Sequence, residues 1–469
     1  MADFFINLLH LGDSWHWAAH VVAALIQCGL LLAMALCSAA IYIWLERKVA
    51  ARIQDRLGPT RVGGRFGWLQ PPADGIKLLC KEDIIPEAAD RPLFRIAPYI
   101  SFCAVFCSYL ALPFADGWVA WQFEIAAFFI LAVMGLEVFG VILGGYSSMS
   151  KWSLYGAMRE AAQVISYEIP LALCVVVPVL IAGTMDLVTI GNSQAGWFTH
   201  WNLLHDPFTF VTFFVYCTCA VASTNRAPFD LPEAESELVA GFLTEYSGFR
   251  WVVFFMAEYA AIFAVCGLGA ILFLGGWNGP VPVGTWIASE VDRLLSGVTI
   301  HHAEIAAWIG NLLGMCNFIA KGIIGGTVVI WIRWSLPRLR IDQVMTTCLK
   351  YCVPLASAML AGVMLWCYFL PGGLMAQLRR SPAAVERRVK PAETHDGAKS
   401  GQTNAKCKMQ SAKCKMKDEL PAPSAVSVRP RPPFCNLQFA FFILHSSPGD
   451  PRSCVCIDLG RQRDGGART

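Results

Sequence analysis

Long apolar stretches separated by polar connections recur along the first 371 residues. They lie near Ala18 to Leu45, Ile96 to Phe114, Glu124 to Tyr146, Ala161 to Gly183, Phe208 to Ala222, Trp251 to Gly276, Ile305 to Ile332 and Leu349 to Leu370. A helix needs about 20 such residues to cross a hydrocarbon layer roughly 30 Å thick. Inside lipid a backbone amide finds no water, so a spanning segment must satisfy its own hydrogen bonds. The runs lack the alternation of barrel strands, which leaves helices. The pattern therefore predicts an all-α integral membrane protein with about eight transmembrane helices. No Lys or Arg precedes Arg47. The first run thus lacks the basic leading segment of a secretory signal and is expected to stay in the membrane.

The polar connections carry the orientation, because Lys and Arg are retained on the cytoplasmic side. The segment Glu46 to Arg95 is dense in both, while the next connection, around Asp116, has neither. The alternation continues through Lys151 and Arg159, a base-free Asp186 to Asp206, Arg226 and Arg250, a lone Arg293, and Arg333, Arg338 and Arg340. Both ends of the helical core are predicted on the outer, periplasmic side, with large cytoplasmic loops.

Composition sharpens this picture. Apolar side chains make up 56% and charged ones 15% of the 469 residues, which excludes an ordinary soluble domain. The net charge of +3 hides two unlike parts. Acids outnumber bases in residues 1–376, and bases outnumber acids beyond. After Pro371 the chain turns rich in Lys, Pro, Ser and Ala, with the near-repeat AKCKM at 405–409 and 412–416. Residues 1–375 are read as the transmembrane part, and 376–469 as a disordered basic tail that is dispensable or spurious. The eighteen cysteines lack the paired CxxC spacing of a zinc or iron–sulfur site. They are read as small apolar packing residues at core positions such as Cys28, Cys103 and Cys266. No metal site is expected.

Charges near a membrane helix are expensive and persist where they meet a partner, a cavity or water. Glu137 falls inside the third run, Glu160 and Glu168 near the start of the fourth, Glu258 inside the sixth and Lys321 inside the seventh. Glu160 and Glu168 stand eight apart, about 80° around a helix, so one broad face would hold both, with Gln163 and Tyr167. For Glu137 and Glu258 the plain alternative to a functional carboxylate is a structural ion pair, for instance with Lys321. Arg333, Arg338 and Arg340 are read first as topology signals. The stretch Thr224 to Arg250, TNRAPFDLPEAESELVAGFLTEYSGFR, sets Asp230, Glu233, Glu235, Glu237 and Glu245 beside a membrane entry. Crowded, desolvated carboxylates bind protons more readily, as a proton relay requires. A solvated acidic loop docking a basic partner is the alternative.

Several of these motifs resemble one family. Glu46-Arg47-Lys48 followed by RIQDRLGPTRVG, then LQPPADGIKLLCKED, ISYEIPLAL, the acidic stretch above, and RWSLPRLRIDQ are similar, in that order, to the H subunit of bacterial NADH:quinone oxidoreductase, respiratory complex I. The matches cover about residues 18–371. The resemblance implies a subunit with no redox centre and no catalytic residue of its own, forming most of a narrow tunnel for quinone (ubiquinone or menaquinone). Along it the resemblance would place Glu46, Arg47, Asp74 and Arg226, with Asp230, Glu233, Glu235 and Glu237 at the inner chamber. Glu168, Glu245 and Glu258 would continue as buried carboxylates toward antiporter-like subunits, and Glu137 and Glu160, singled out by their own positions in apolar runs, are counted with them in an expected proton path. NADH, flavin and iron–sulfur clusters would belong to partner subunits of the peripheral arm. Small membrane subunits and lipid complete the expected partners, with no nucleic acid among them, and the resemblance implies a location in the bacterial inner (plasma) membrane, crossed many times.

Two positions depart from the family pattern: Ser223 stands where many members carry Glu, and Glu160 where they carry a small or apolar residue. Glu160 is expected to take over the missing carboxylate's role. Three other readings remain: the related membrane subunit of an energy-converting hydrogenase or similar dehydrogenase, a self-standing ion transporter, and a purely structural anchor. A transporter usually shows paired repeats, and none is evident here.

Overall fold

A computed structural model describes residues 16–231, 238–295 and 302–369. These fall in one of the chain's two compact units, Met1–Val389. Glu233, Glu235, Glu237 and the expected tail, 376–469, lie outside the described residues.

The regular elements among the described residues are helices: α1 (His16–Ile53), α2 (Gln70–Leu79), α3 (Arg91–Ala111), α4 (Ala126–Gly135), α5 (Glu137–Ser147), α6 (Lys151–Ala182), α7 (Leu187–Ser193), α8 (Pro207–Ser223), α9 (Gly248–Phe273), α10 (Val283–Leu295), α11 (His302–Ser335), α12 (Ile341–Thr346) and α13 (Val353–Phe369). Among the described residues, seven spans are long and apolar enough to cross a membrane. An eighth, α8, has 17 residues, about 25 Å at 1.5 Å per residue. These eight fall on the eight predicted runs. Two of them are interrupted. The third changes over at Leu136, whose amide and that of Phe139 bond only three residues back, at 3.1 and 3.2 Å. The last passes through a π turn at Thr347–Cys352 between α12 and α13.

Helix starts follow from local chemistry. Pro71 and Pro72 open α2, where a missing N–H costs nothing. Asp206 caps α8, accepting from the Thr209 amide at 2.7 Å. Burial alone would raise the Asp206 carboxyl, but bonds from His205 and Thr209 outweigh it and hold it below its ordinary value.

Consecutive spans alternate in direction. The end of α1, helix α2, the 224–231 segment and the α11–α12 junction therefore meet at the base-rich end of the bundle. There the Leu339 amide bonds the Pro228 carbonyl at 2.9 Å. The opposite end gathers Trp118 with Trp308, and Trp197 with Trp286, each pair with ring centroids 6.1 Å apart.

The axis of the bundle is α9, whose apolar window is 72% buried against 17–44% for the other spans. Buried tyrosines stitch its neighbours together. Tyr109 donates to Ala260 O at 2.9 Å, Tyr216 to Val265 O at 2.7 Å, and Tyr42 to Gly322 O on α11 at 2.8 Å. A buried hydroxyl bonded in this way escapes a desolvation penalty that lipid would impose in full. Close approach matters most at Gly156. A Cβ there would sit 2.7 Å from Gly241 Cα and 2.8 Å from Phe242 N, so only glycine lets α6 touch the backbone of the Gly241–Leu243 turn.

One expectation about packing fails. Cys28, Cys37, Cys103 and Cys316 are exposed on the outside of the bundle and Cys266 is half-buried, whereas Cys174, Cys219, Cys348 and Cys352 are interior. In a membrane chain, apolar surroundings and burial inside protein are different things, and a thiol is compatible with lipid.

Candidate functional site

Near the basic end the last turns of α1 bring Glu46 inward. Its carboxylate accepts from the Tyr259 hydroxyl on α9 and from Arg333 at the end of α11. Arg226, from the loop after α8, completes the group. Its Nη1 lies 3.9 Å from Glu46 Oε2, and its Nη2 lies 3.3 Å from Glu258 Oε2. The guanidinium carbon stands 4.2 Å from the Tyr259 ring centroid, a cation–π contact. The Arg226, Glu46 and Glu258 side chains are only 6%, 13% and 12% exposed. Two carboxylates and two guanidiniums balance in charge, which is the condition for keeping ions at low dielectric.

Three flanking arrangements extend the cluster. Asp230 accepts from Arg338 Nη2 at 3.0 Å. Its other oxygen, Oδ1, is buried with no hydrogen-bond partner among the described residues. Arg47 pairs with Asp74 at 2.5 Å, and Gln70 donates to the same carboxylate at 3.1 Å. On the same segment Phe66, Trp68, Leu69, Ile76 and Leu79 are all exposed. The segment is held in place by Trp44, which stacks on Trp68 at 4.0 Å and donates to Phe66 O at 2.9 Å.

A second group lies along α6. Asn225, in the left-handed region at φ 50°, a conformation Asn tolerates, donates to Glu160 Oε1 at 2.7 Å. Gln163 bonds Asn225 Oδ1 at 3.0 Å and Ala222 O at 2.8 Å, and Tyr167 donates to Val344 O at 2.9 Å. Glu168 does not join this row. It lines a cavity of about 220 Å³ with Phe128, Leu131, Met134, Tyr216 and Ser223. The broad shared face expected for Glu160 and Glu168 thus divides in two. A Cβ on Gly135, next to the break in the third span, would collide with the Glu168 carboxylate.

The structure brings Glu46, Arg226 and Glu258 together, pairs Arg47 with Asp74, and sets Asp230 against Arg338. Glu137 and Glu245 are half-buried and make no ion pair among the described residues. The suggested partnership of Glu137 or Glu258 with Lys321 is not found. Glu258 pairs with Arg226, and Lys321 bonds three backbone carbonyls. The physical reason is reach, since Lys321 extends toward the far end of α9. Sequence reasoning also missed Tyr259, Asn225, and the pairing roles of Arg333 and Arg338. The two arginines lie within RWSLPRLRIDQ, where their spacing shows a cytoplasmic helix end but not the carboxylates they meet. Among the described residues no set of three or more His, Cys, Asp or Glu side chains is arranged to hold a metal ion.

A charge-balanced polar cluster beside an exposed apolar surface suits a molecule with a polar head and a long apolar body. Comparison with known proteins narrows the class. A family model described as NADH dehydrogenase matches residues 26–364. The H subunit of the NADH-quinone oxidoreductase of Anaeromyxobacter dehalogenans (strain 2CP-C) is 44% identical over 326 residues, 69% of this chain and 77% of that protein. Its counterpart in Geobacillus kaustophilus (strain HTA426) is 45% identical over 327 residues, covering 70% and 89%. That of Chlorobium luteolum is 41% identical over 332 residues, covering 70% and 85%.

Proposed function

The chain belongs to the H-subunit family of NADH-quinone oxidoreductases, and from that premise we propose that it provides the passage by which a quinone reaches the electron-donating partner subunits, and that its buried carboxylates couple quinone reduction to proton movement. As a multi-pass membrane subunit of complex I, it works among other subunits of that complex.

The observation that carries the proposal is the buried group Glu46, Arg226, Glu258, Tyr259 and Arg333. It lies where α1, α9, α11 and the 224–231 segment converge. A quinone head entering over the apolar surface of α2 would meet Arg47 and Asp74 first, then this group. Asp230 Oδ1 would be an acceptor for the hydroxyl that forms on reduction. The isoprenoid tail would remain on apolar side chains, which cost nothing to contact.

Quinol formation consumes protons as well as electrons. In a low-dielectric cluster a change of charge on the head disturbs every ion pair that shares it, and Glu258 and Arg226 share theirs with Glu46. Such a disturbance is the differential interaction that coupling between sites requires. The continuation runs through Glu160, Glu168, Glu137 and Glu245 toward antiporter-like subunits, with Glu160 serving in place of a carboxylate at Ser223. The flavin, the iron–sulfur clusters and the NADH site belong to the peripheral partners, and this subunit alone is inactive.

The test separates electron transfer from pumping. In the complete complex reconstituted into vesicles, Glu168→Gln and Glu160→Gln should each keep quinone reduction within about threefold of wild type while lowering proton uptake per NADH about tenfold, the loss of a proton-relay group. Intact pumping in both variants would refute the carboxylate path. Intact pumping in Glu160→Gln alone would refute its substitution for Ser223.

A further inference from the structure

At the end of the bundle opposite the charged cluster, α9 stops at Phe273 and the chain turns through Gly275 and Gly276, at φ 76° and 55°. A side chain at Gly275 would collide with the Trp201 indole, 2.5 Å from a Cβ placed there. Here the carbonyls of Leu274, Gly276 and Asn278 converge on one atom, Nζ of Lys321 from α11, at 2.6, 2.8 and 2.5 Å. The Trp201 ring stands on a further side, its centroid 4.7 Å from Nζ.

Three acceptors around one nitrogen match the three N–H donors of an ammonium; a neutral amine has only two N–H groups to give. Neighbouring amides are committed to backbone and hold the cage in shape. Gln194 Nε2 bonds Ile271 O at 2.8 Å, and Asn202 Nδ2 bonds Leu272 O at 2.9 Å. Asn317 Nδ2 bonds Trp277 O, and Asn278 Nδ2 bonds Gly191 O, both at 2.8 Å. Converging carbonyls and an aromatic face are ligands that replace the hydration shell of a monovalent cation. Lys321 supplies such a cation on a tether.

We propose that Lys321 is a tethered cation plug: its ammonium fills a monovalent-cation cage at the C-terminal end of α9 and keeps this end of the bundle shut to protons and alkali cations. Its fixed charge repels an incoming cation. Its bonds also occupy the carbonyls that would otherwise coordinate one. Removing the ammonium reverses both effects and leaves three inward-facing carbonyls to draw in water or an ion. The proposal concerns passive permeability and stands apart from the quinone reading.

The complete complex in potassium-loaded proteoliposomes, given valinomycin and an internal pH dye, reports passive proton entry without NADH or quinone. Lys321→Met, neutral and of similar length, and Lys321→Ala should each raise that entry about fivefold or more. Ethylammonium chloride in the medium should return Lys321→Ala toward the wild-type rate by seating a free cation in the cage, while sodium chloride at equal ionic strength should not. Assembled variants as tight as wild type would overturn the proposal, and so would a leak that ethylammonium leaves unchanged. If both variants fail to assemble and ethylammonium throughout solubilisation does not restore them, Lys321 has a folding role only, which also overturns it.

Discussion

Arg226→Met is expected to lower quinone reduction by the assembled complex about 100-fold, the scale of loss when a reacting group is displaced by an ångström. Oxidation of NADH by an acceptor that takes electrons ahead of the quinone should be unchanged. Arg226 lies between Glu46 and Glu258 and stacks on Tyr259. Methionine fills similar space but leaves the two carboxylates to share a nearly dry site with only Arg333 to balance them. Breaking a buried charge pair costs about 3–5 kcal/mol. The site relaxes instead, by water entry or protonation, and Glu46 loses its position. Arg226→Lys restores charge without the planar stacking group, so it should recover only part of the rate. Normal quinone reduction in Arg226→Met would show that the cluster is merely structural.

Arg338→Ala should loosen the segment around Asp230 and raise the KM for quinone about tenfold, with kcat less affected, since positioning interactions act on binding. Asp230 is 7% exposed at its side chain and depends on Arg338. An acceptor left alone in such a place costs about 1–3 kcal/mol. The half-exposed Arg338 argues for the lower part of that range. Asp230→Asn combined with Arg338→Gln removes both charges, so most of the lost thermal stability should return while the raised KM remains. Additive losses in that double-mutant cycle would show that the two residues do not act as a pair.

The helices were legible because lipid imposes one rule on every spanning segment, and the apolar runs record it. Even α8 was visible, its 17 residues bounded by Asp206-Pro207 and the polar loop. The interruption at Leu136 was not. No proline stands between Ala126 and Ser147, and Gly140, Gly144 and Gly145 sit in continuous helix, so composition does not single out Leu136; the interruption falls where Gly135 leaves room for Glu168 and Ser101 bonds Glu137 O at 3.0 Å. Individual acidic residues were legible as candidates, since each stands out in apolar surroundings. Their partners were not, because pairing is set by tertiary approach. Arg333 reaches Glu46 across 287 positions, and no spacing rule extends that far. Lys321 shows the same limit in reverse. A cation in an apolar run suggested a carboxylate, yet the end of a neighbouring helix supplied the acceptors. Glu160 and Glu168 separated because 80° around a helix, opposite closely packed neighbours, is enough to face two different surroundings.

The central claim is that the charged cluster at the basic end borders the path of the quinone head. A quinone analogue with a photoreactive azide on its head group, illuminated in the intact complex and mapped by peptide mass spectrometry, tests it most directly. Adducts should fall on segments flanking Glu46, Arg226 and Tyr259 and on α2, and excess unlabelled quinone should remove them. Adducts confined to other subunits, or in this chain to the opposite end around Trp201 and Lys321, would contradict it.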